Sequence, residues 1–282
     1  MSALQIAAPS FPSLGLPAFL ARLRADEPRF FGAAVLMLAA MAPTAFAALA
    51  DGRTFLGIDV WTKPLKFETA LAIYLLTLAF FARWLPAAMR AGRRYRIYSS
   101  LVVAAIVLEM IWIGGAAMLG TASHFNGTPA GMIIYSAMGA AAVLLTTPTA
   151  VYAWSIARNP AIGLPPAIRE AVVTGLALTL PLTLVTAGTM SSMAGHAVGG
   201  SGLDTGGLPL MGWARDAGDL RVAHFFSTHA LHVIPVFGVV SAALFGPTNR
   251  LPVRLFSLAY IGFVMWVFIQ ALMGEPFLLV LG

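Results

Sequence analysis

Seven stretches of this chain are apolar for long enough to cross ~30 Å of hydrocarbon, and nothing else in the sequence restricts its fold as strongly. They lie at about residues 30–50, 66–85, 98–119, 131–156, 168–190, 222–245 and 254–273. A backbone surrounded by lipid must satisfy its own polar groups, so runs of this length fold as helices. The expectation is an all-α, polytopic bundle of about seven spans. Composition agrees: 59% of residues are hydrophobic and only 10% charged, outside the balance of a soluble domain. Pro43, Pro148, Pro181 and Pro235 fall inside spans, where neighbouring helices or water can satisfy the freed carbonyls. Pro235 frees the carbonyl of Leu231 and is expected to kink its helix.

Lysine and arginine placement sets the orientation. With the N-terminus in the cytoplasm, Arg22, Arg24, Arg29, Arg83, Arg90, Arg93, Arg94, Arg96, Arg158, Arg169, Arg250 and Arg254 lie inside. Arg53, Lys63, Lys66, Arg215 and Arg221 lie outside, a ratio of twelve to five that follows the positive-inside rule. The C-terminus then faces outward. The formal net charge of +6 is this topology signal and requires no nucleic acid. The lipid bilayer is the partner it implies, with the Arg90 to Arg96 cluster facing anionic lipid. Cysteine is absent, which excludes disulfides, thiolate metal sites and covalent haem attachment through cysteine. An alanine-rich, cysteine-free chain of this type fits a bacterial inner membrane.

Residues 1–29 read as a cytoplasmic tail, in which Leu14 to Leu23 can lie on the membrane surface as a short amphipathic helix. Residues 30–282 read as one transmembrane domain with larger outer loops at 51–65 and 191–221. Ala48-Leu49-Ala50 before Asp51 imitates a signal-peptidase site, but the polar region before it is too long, so the first helix is expected to remain as an anchor. Two correspondences suggest a four-plus-three internal duplication. Trp112 to Gly120 matches Trp266 to Gly274, with Ala117 opposite Ala271, and Lys66-Phe67 after Asp59 matches His224-Phe225 after Asp219.

The polar chemistry gathers on the outer side. His224, His229 and His232 share one side of the sixth span, at angles of about 140° and 80° from His224. His229 lies about 7.5 Å and His232 about 12 Å deeper than His224 by helix rise. Imidazoles at such depth face protein, water or a ligand. Asp219 is placed to cap that helix, with Asp216 adding favourable charge. His124, in Ser123-His-Phe-Asn126, lies at the membrane level of His224, so it can join His224 or His229 as the ligands of a haem or metal in the outer half of the bundle. His196, in the long outer loop, adds a third ligand for a transition metal beside His124 and His224. Thr128-Pro129 suits the start of the fourth span.

Glu109 is the one acid deep within a predicted span, at a depth where it can meet His229 or His232 as a proton relay, with Gln270 in the same layer. Glu109 and His229 are the catalytic candidates. Lys63 and Lys66 stand at the outer N-terminus of a helix, against both the positive-inside bias and the helix dipole. Such placement suits an anionic small molecule or a haem propionate, with Arg215 and Arg221 assisting, and competes with pairing to Asp59 or Glu68. The threonines of the fifth span (Thr174, Thr179, Thr183, Thr186, Thr189) serve helix packing.

Trp61-Thr-Lys-Pro-Leu-Lys-Phe67, Ser123-His-Phe-Asn126 and Gly218-Asp-Leu-Arg-Val-Ala-His-Phe225 with His229-Ala-Leu carry a resemblance across most of the chain. On these motifs it resembles an uncharacterised family of bacterial multi-pass membrane proteins, which implies topology but no activity. More loosely it resembles haem A synthase in architecture, as a duplicated bundle with helix-borne histidines in different contexts. The readings weighed are a histidine-lined site for haem or a transition metal in a redox-type role, a proton-coupled transporter or binder without cofactor, and a metal-dependent intramembrane hydrolase.

Overall fold

The computed structural model describes residues 15–278 and contains seven helices long and apolar enough to cross a membrane. A short helix α1 (Leu16–Asp26) precedes α2 (Pro28–Ala50) and α3 (Thr62–Phe81). A one-turn helix α4 (Ala87–Ala91) leads into α5 (Arg93–Leu119) and α6 (Pro129–Ala157). The chain ends with α7 (Pro166–Ser191), α8 (Leu220–Phe245) and α9 (Leu251–Leu272). The all-α seven-span expectation is met. Observed helices run past the apolar windows, α5 beginning at Arg93 rather than near residue 98, because helical backbone continues into the headgroup region. The helix expected on the membrane surface begins at Leu16 and ends at Asp26, with Leu16 and Leu20 exposed and Leu23 buried. Leu14 lies outside the described residues.

Packing is closest where side chains are smallest, since lipid offers apolar helices no hydrophobic gain on association. Helix α7 lies along α8, and α2 along α3. Gly175 of α7 faces the proline of α8: a Cβ there would lie 2.8 Å from the Ala230 carbonyl oxygen and from Pro235 Cδ. Gly238 meets Ala171 in the same seam. Leu75, Ile106, Tyr152, Leu176, Leu231 and Ile234 fill the centre of the bundle. Helix α2 is built into it through buried Phe30, Ala34 and Met37, and through Thr44, whose hydroxyl donates to Glu68 at 2.7 Å.

The two halves repeat their terminal devices. A two-residue strand pair, β1 (Thr54–Phe55) with β2 (Ile58–Asp59), precedes α3, and another, β3 (Ala197–Val198) with β4 (Gly218–Asp219), precedes α8. Asp59 accepts from the Trp61 amide at 2.7 Å and Asp219 from the Arg221 amide at 3.0 Å. Helices α5 and α9 both close on a left-handed glycine, Gly120 at φ 64° and Gly274 at φ 82°. Gly120 donates to Ala117 and Thr121 to Ala116, while Gly274 donates to Ala271 and Glu275 to Gln270. These are the same helix-ending bonds at equivalent positions. The structural match aligns Asp59 with Asp219, which places Pro64 rather than Lys66 opposite His224.

Candidate functional site

The loop-bearing end of the bundle gathers Lys63, Lys66, His124, His196, Asp204, Asp219 and Arg221. Asp219 caps α8 as expected and is nearly inaccessible. Its carboxylate also accepts from the Ala214 amide at 2.9 Å and from the Arg221 guanidinium at 2.7 Å. Arg221 reaches onward to Asp204 at 2.9 Å and to the Gly212 carbonyl at 2.9 Å. This arginine thereby ties the long loop to the head of α8. Trp213 seals the same junction against Phe225 and Phe277. Asp216 accepts from the Ser201 amide at 3.1 Å and fastens the loop to itself.

His196 donates its Nε2 side to Asp204 at 3.0 Å, while its backbone carbonyl accepts from the Leu220 amide. Burial alone would raise the Asp204 carboxyl, but the His196 bond and the Arg221 charge outweigh it and hold the group below its ordinary value. His196 is therefore a structural partner of that carboxylate. Among the described residues, no three His, Asp or Glu side chains gather as metal ligands. The expected set of His124, His196 and His224 is not formed, because His196 is turned to Asp204 and His124 to Lys63.

Lys63 and Lys66 lie in the first turns of α3, which has no acid in its first turn and no side-chain cap. Pairing with Asp59 or Glu68 does not occur: Asp59 holds the Trp61 amide and Glu68 holds Thr44. Among the described residues neither lysine has a carboxylate within 4.0 Å. Lys66 donates to the Met211 carbonyl at 3.0 Å. Lys63 meets His124 Nδ1 at 3.2 Å, and the Ser123 hydroxyl meets the same nitrogen at 3.1 Å.

That contact fixes the chemistry of His124. An ammonium has no acceptor, so Nδ1 must offer its lone pair. Burial, reinforced by the Lys63 charge, pushes the imidazole down to about 3, so the ring is neutral and its proton sits on Nε2. An Nε2–H cannot ligate iron or zinc. In this arrangement His124 presents Nε2 as a donor rather than as the lone pair a haem or metal ligand needs. Phe67 and Tyr135 hold the ring on two sides. The next residue, Phe125, has a left-handed backbone at φ 57°, a strain of about 1–3 kcal/mol that turns the loop at this point. Thr128 caps α6 through its hydroxyl, accepting from the Gly131 amide at 3.0 Å ahead of Pro129, as expected.

Deeper in the bundle, the histidines of α8 form a directional chain. The Thr77 hydroxyl donates to the Ile73 carbonyl at 2.7 Å and so accepts from His232 Nε2 at 2.9 Å. His232 must then accept at Nδ1 from His229 Nδ1, 3.1 Å away. With its Nδ1 proton committed, neutral His229 presents an Nε2 lone pair that no described residue uses, while its ring packs on Phe225. His224 Nδ1 is buried with no hydrogen-bond partner. Glu109 meets none of these: its Oε1 is buried without a partner, and the expected bond to His229 or His232 is replaced by the chain to Thr77. Gln270 donates to the Pro276 carbonyl at 2.9 Å, pinning the C-terminal segment rather than joining a Glu109 layer. Thr77 was the residue missed, since a threonine in an apolar run gives no signal that its hydroxyl anchors a histidine on another helix.

Fold and site together define a multi-pass helical membrane protein whose loop-bearing end is lined by cations and imidazoles. No family model, curated protein or solved structure matches the chain.

Proposed function

We propose that the protein is a bacterial inner-membrane binder of an anionic small molecule, held at the outward-facing ends of α3 and α8. The observation that carries this reading is Lys63, a half-buried ammonium whose hydrogen-bond partner is His124 Nδ1 rather than a carboxylate. Lys63, Lys66, Arg221 and the Nε2–H of His124 are all donors. They surround the uncapped start of a helix, where an anion is favoured and a cation is not. A carboxylate or phosphate group supplies the acceptor that Lys63 and His124 Nε2–H lack among the described residues, while Arg221, already held by Asp219 and Asp204, adds its charge.

A second reading is supported by His229 Nε2, the free lone pair at the head of the chain to Thr77. On that reading the anion would be a haem propionate, and His229, rather than His124, would hold the iron. Haem would supply one-electron chemistry; the chain would supply propionate binding through Lys63, Lys66 and Arg221. The chain to Thr77 would set the His229 tautomer.

The test is a titration of nanodisc-embedded, ¹⁵N-histidine-labelled protein with inorganic phosphate, succinate and haemin. Saturable shifts of the His124 signals with at least one probe, weakened tenfold or more in Lys63→Met, are expected. A Soret band retained by wild type and lost in His229→Gln would select haem. Absence of saturable binding, or binding indifferent to Lys63→Met, would contradict the proposal.

A further inference from the structure

At the opposite, arginine-rich end, a groove of about 540 Å³ opens between the head of α2 and the first turns of α5. Arg29, Arg93 and Arg96 line it, with Arg29 Nε donating to the Ser100 hydroxyl at 3.1 Å. None of the three has a carboxylate within 4.0 Å among the described residues. Past Arg96 the α5 side of the groove is Ile97, Ser100, Leu101 and Ala104. Ile97 and Leu101 follow at successive turns of α5, 50% and 54% exposed. Arg93, Ile97 and Leu101 succeed one another at four-residue steps along α5, so a guanidinium at the helix start leads into bare aliphatic side chains, the order of a phospholipid's phosphate and acyl chain.

We infer that this groove binds the phosphate of an anionic phospholipid from the cytoplasmic leaflet, with its acyl chain lying along Ile97 and Leu101. Guanidinium groups match phosphate oxygens with paired donors, and basic pockets between helices on the cytoplasmic side suit such headgroups. Arg93 also lines a second groove of about 660 Å³, beside Arg94 and Tyr98. The start of α5 adds to the attraction. Gly92 provides no side-chain cap, so the first-turn amides remain free to face an anion. Three arginines there would otherwise oppose the helix dipole.

The experiment uses the full-length protein reconstituted in nanodiscs of nine parts phosphatidylcholine to one part phosphatidylglycerol, then released for native mass spectrometry. The ratio of retained phosphatidylglycerol to phosphatidylcholine is expected to exceed the bilayer ratio about tenfold or more. Arg93→Gln with Arg96→Gln should lower that retention about tenfold. Arg93→Lys with Arg96→Lys, which keeps the charge, should lower it less than threefold and shows that the fold survives at this site. Arg24→Gln with Arg158→Gln removes equal charge from the same end and should change retention less than twofold. Equal retention of the two lipids would overturn the inference. So would equal losses in both glutamine pairs, which mark a diffuse surface effect, or displacement of the lipid by millimolar inorganic phosphate, which marks a site for the free ion.

Discussion

Replacing Asp219 by alanine tests whether the head of α8 is organised as described, and Asp59 supplies an internal control with the same turn geometry. Asp219 is 1% exposed and serves four donor groups: the Arg221 amide, the Ala214 amide, and the Nε and Nη2 of the Arg221 guanidinium. Loss of the cap costs about 1 kcal/mol. Leaving the Ala214 amide without an acceptor adds about 1–2 kcal/mol. The guanidinium keeps Asp204 and the Gly212 carbonyl, and its side chain is 28% exposed, so its share is near 1 kcal/mol rather than the full cost of a stranded buried charge. The sum is about 3–4 kcal/mol. Asp59 is half-buried and serves only the Trp61 amide, so Asp59→Ala should cost about 0.5–1 kcal/mol. Equilibrium unfolding in mixed micelles, followed by far-ultraviolet circular dichroism and by the fluorescence of buried Trp213, measures both. Asp219→Asn, which keeps one acceptor, should fall between them. A loss for Asp219→Ala no larger than that for Asp59→Ala would refute the reasoning.

Stability should also fall in acid through His124. Its folded value, about 3, lies below its ordinary 6.5, so the unfolded chain takes up the proton first. The contribution is fully present above pH 6.5 and is lost by about 1.4 kcal/mol per unit below it, a slope that His124→Gln should remove from the unfolding midpoint. In the α7–α8 seam, Gly175→Ala should destabilise by about 1–3 kcal/mol in the same unfolding assay, since its Cβ meets backbone and a proline ring. Gly188→Ala on the same helix, with nothing within 4 Å of its Cβ, should be neutral or stabilising.

The elements read most securely from sequence were those governed by local chemistry. Span positions followed from run length, and the caps at Asp219 and Thr128 from residues whose side-chain oxygens reach amides two or three positions on. The matched ends of α5 and α9 were visible as equal Trp-to-Gly spacings. What sequence left open was the rotation of each helix about its axis, which selects partners far along the chain. Lys63 and His124 are 61 residues apart, and Thr77 and His232 are 155 apart. Depth alone put Glu109 in the same layer as the histidines and made it their natural partner. Helix rotation instead gave His232 a threonine and left a Glu109 oxygen without one. Likewise His196 had a metal-ligand reading until the loop folded it onto Asp204, eight residues away.

The central claim is that Lys63 and His124 form a donor pair for an anion, and the His124 tautomer tests it most directly. Imidazole ¹⁵N chemical shifts of the histidine-labelled protein at neutral pH, assigned by the signals lost in His124→Gln, should show a proton on Nε2 and an unprotonated, hydrogen-bonded Nδ1. The Nε2–H signal should move on addition of the bound anion. A proton on Nδ1, or an Nε2 shifted by direct metal coordination, would contradict the account.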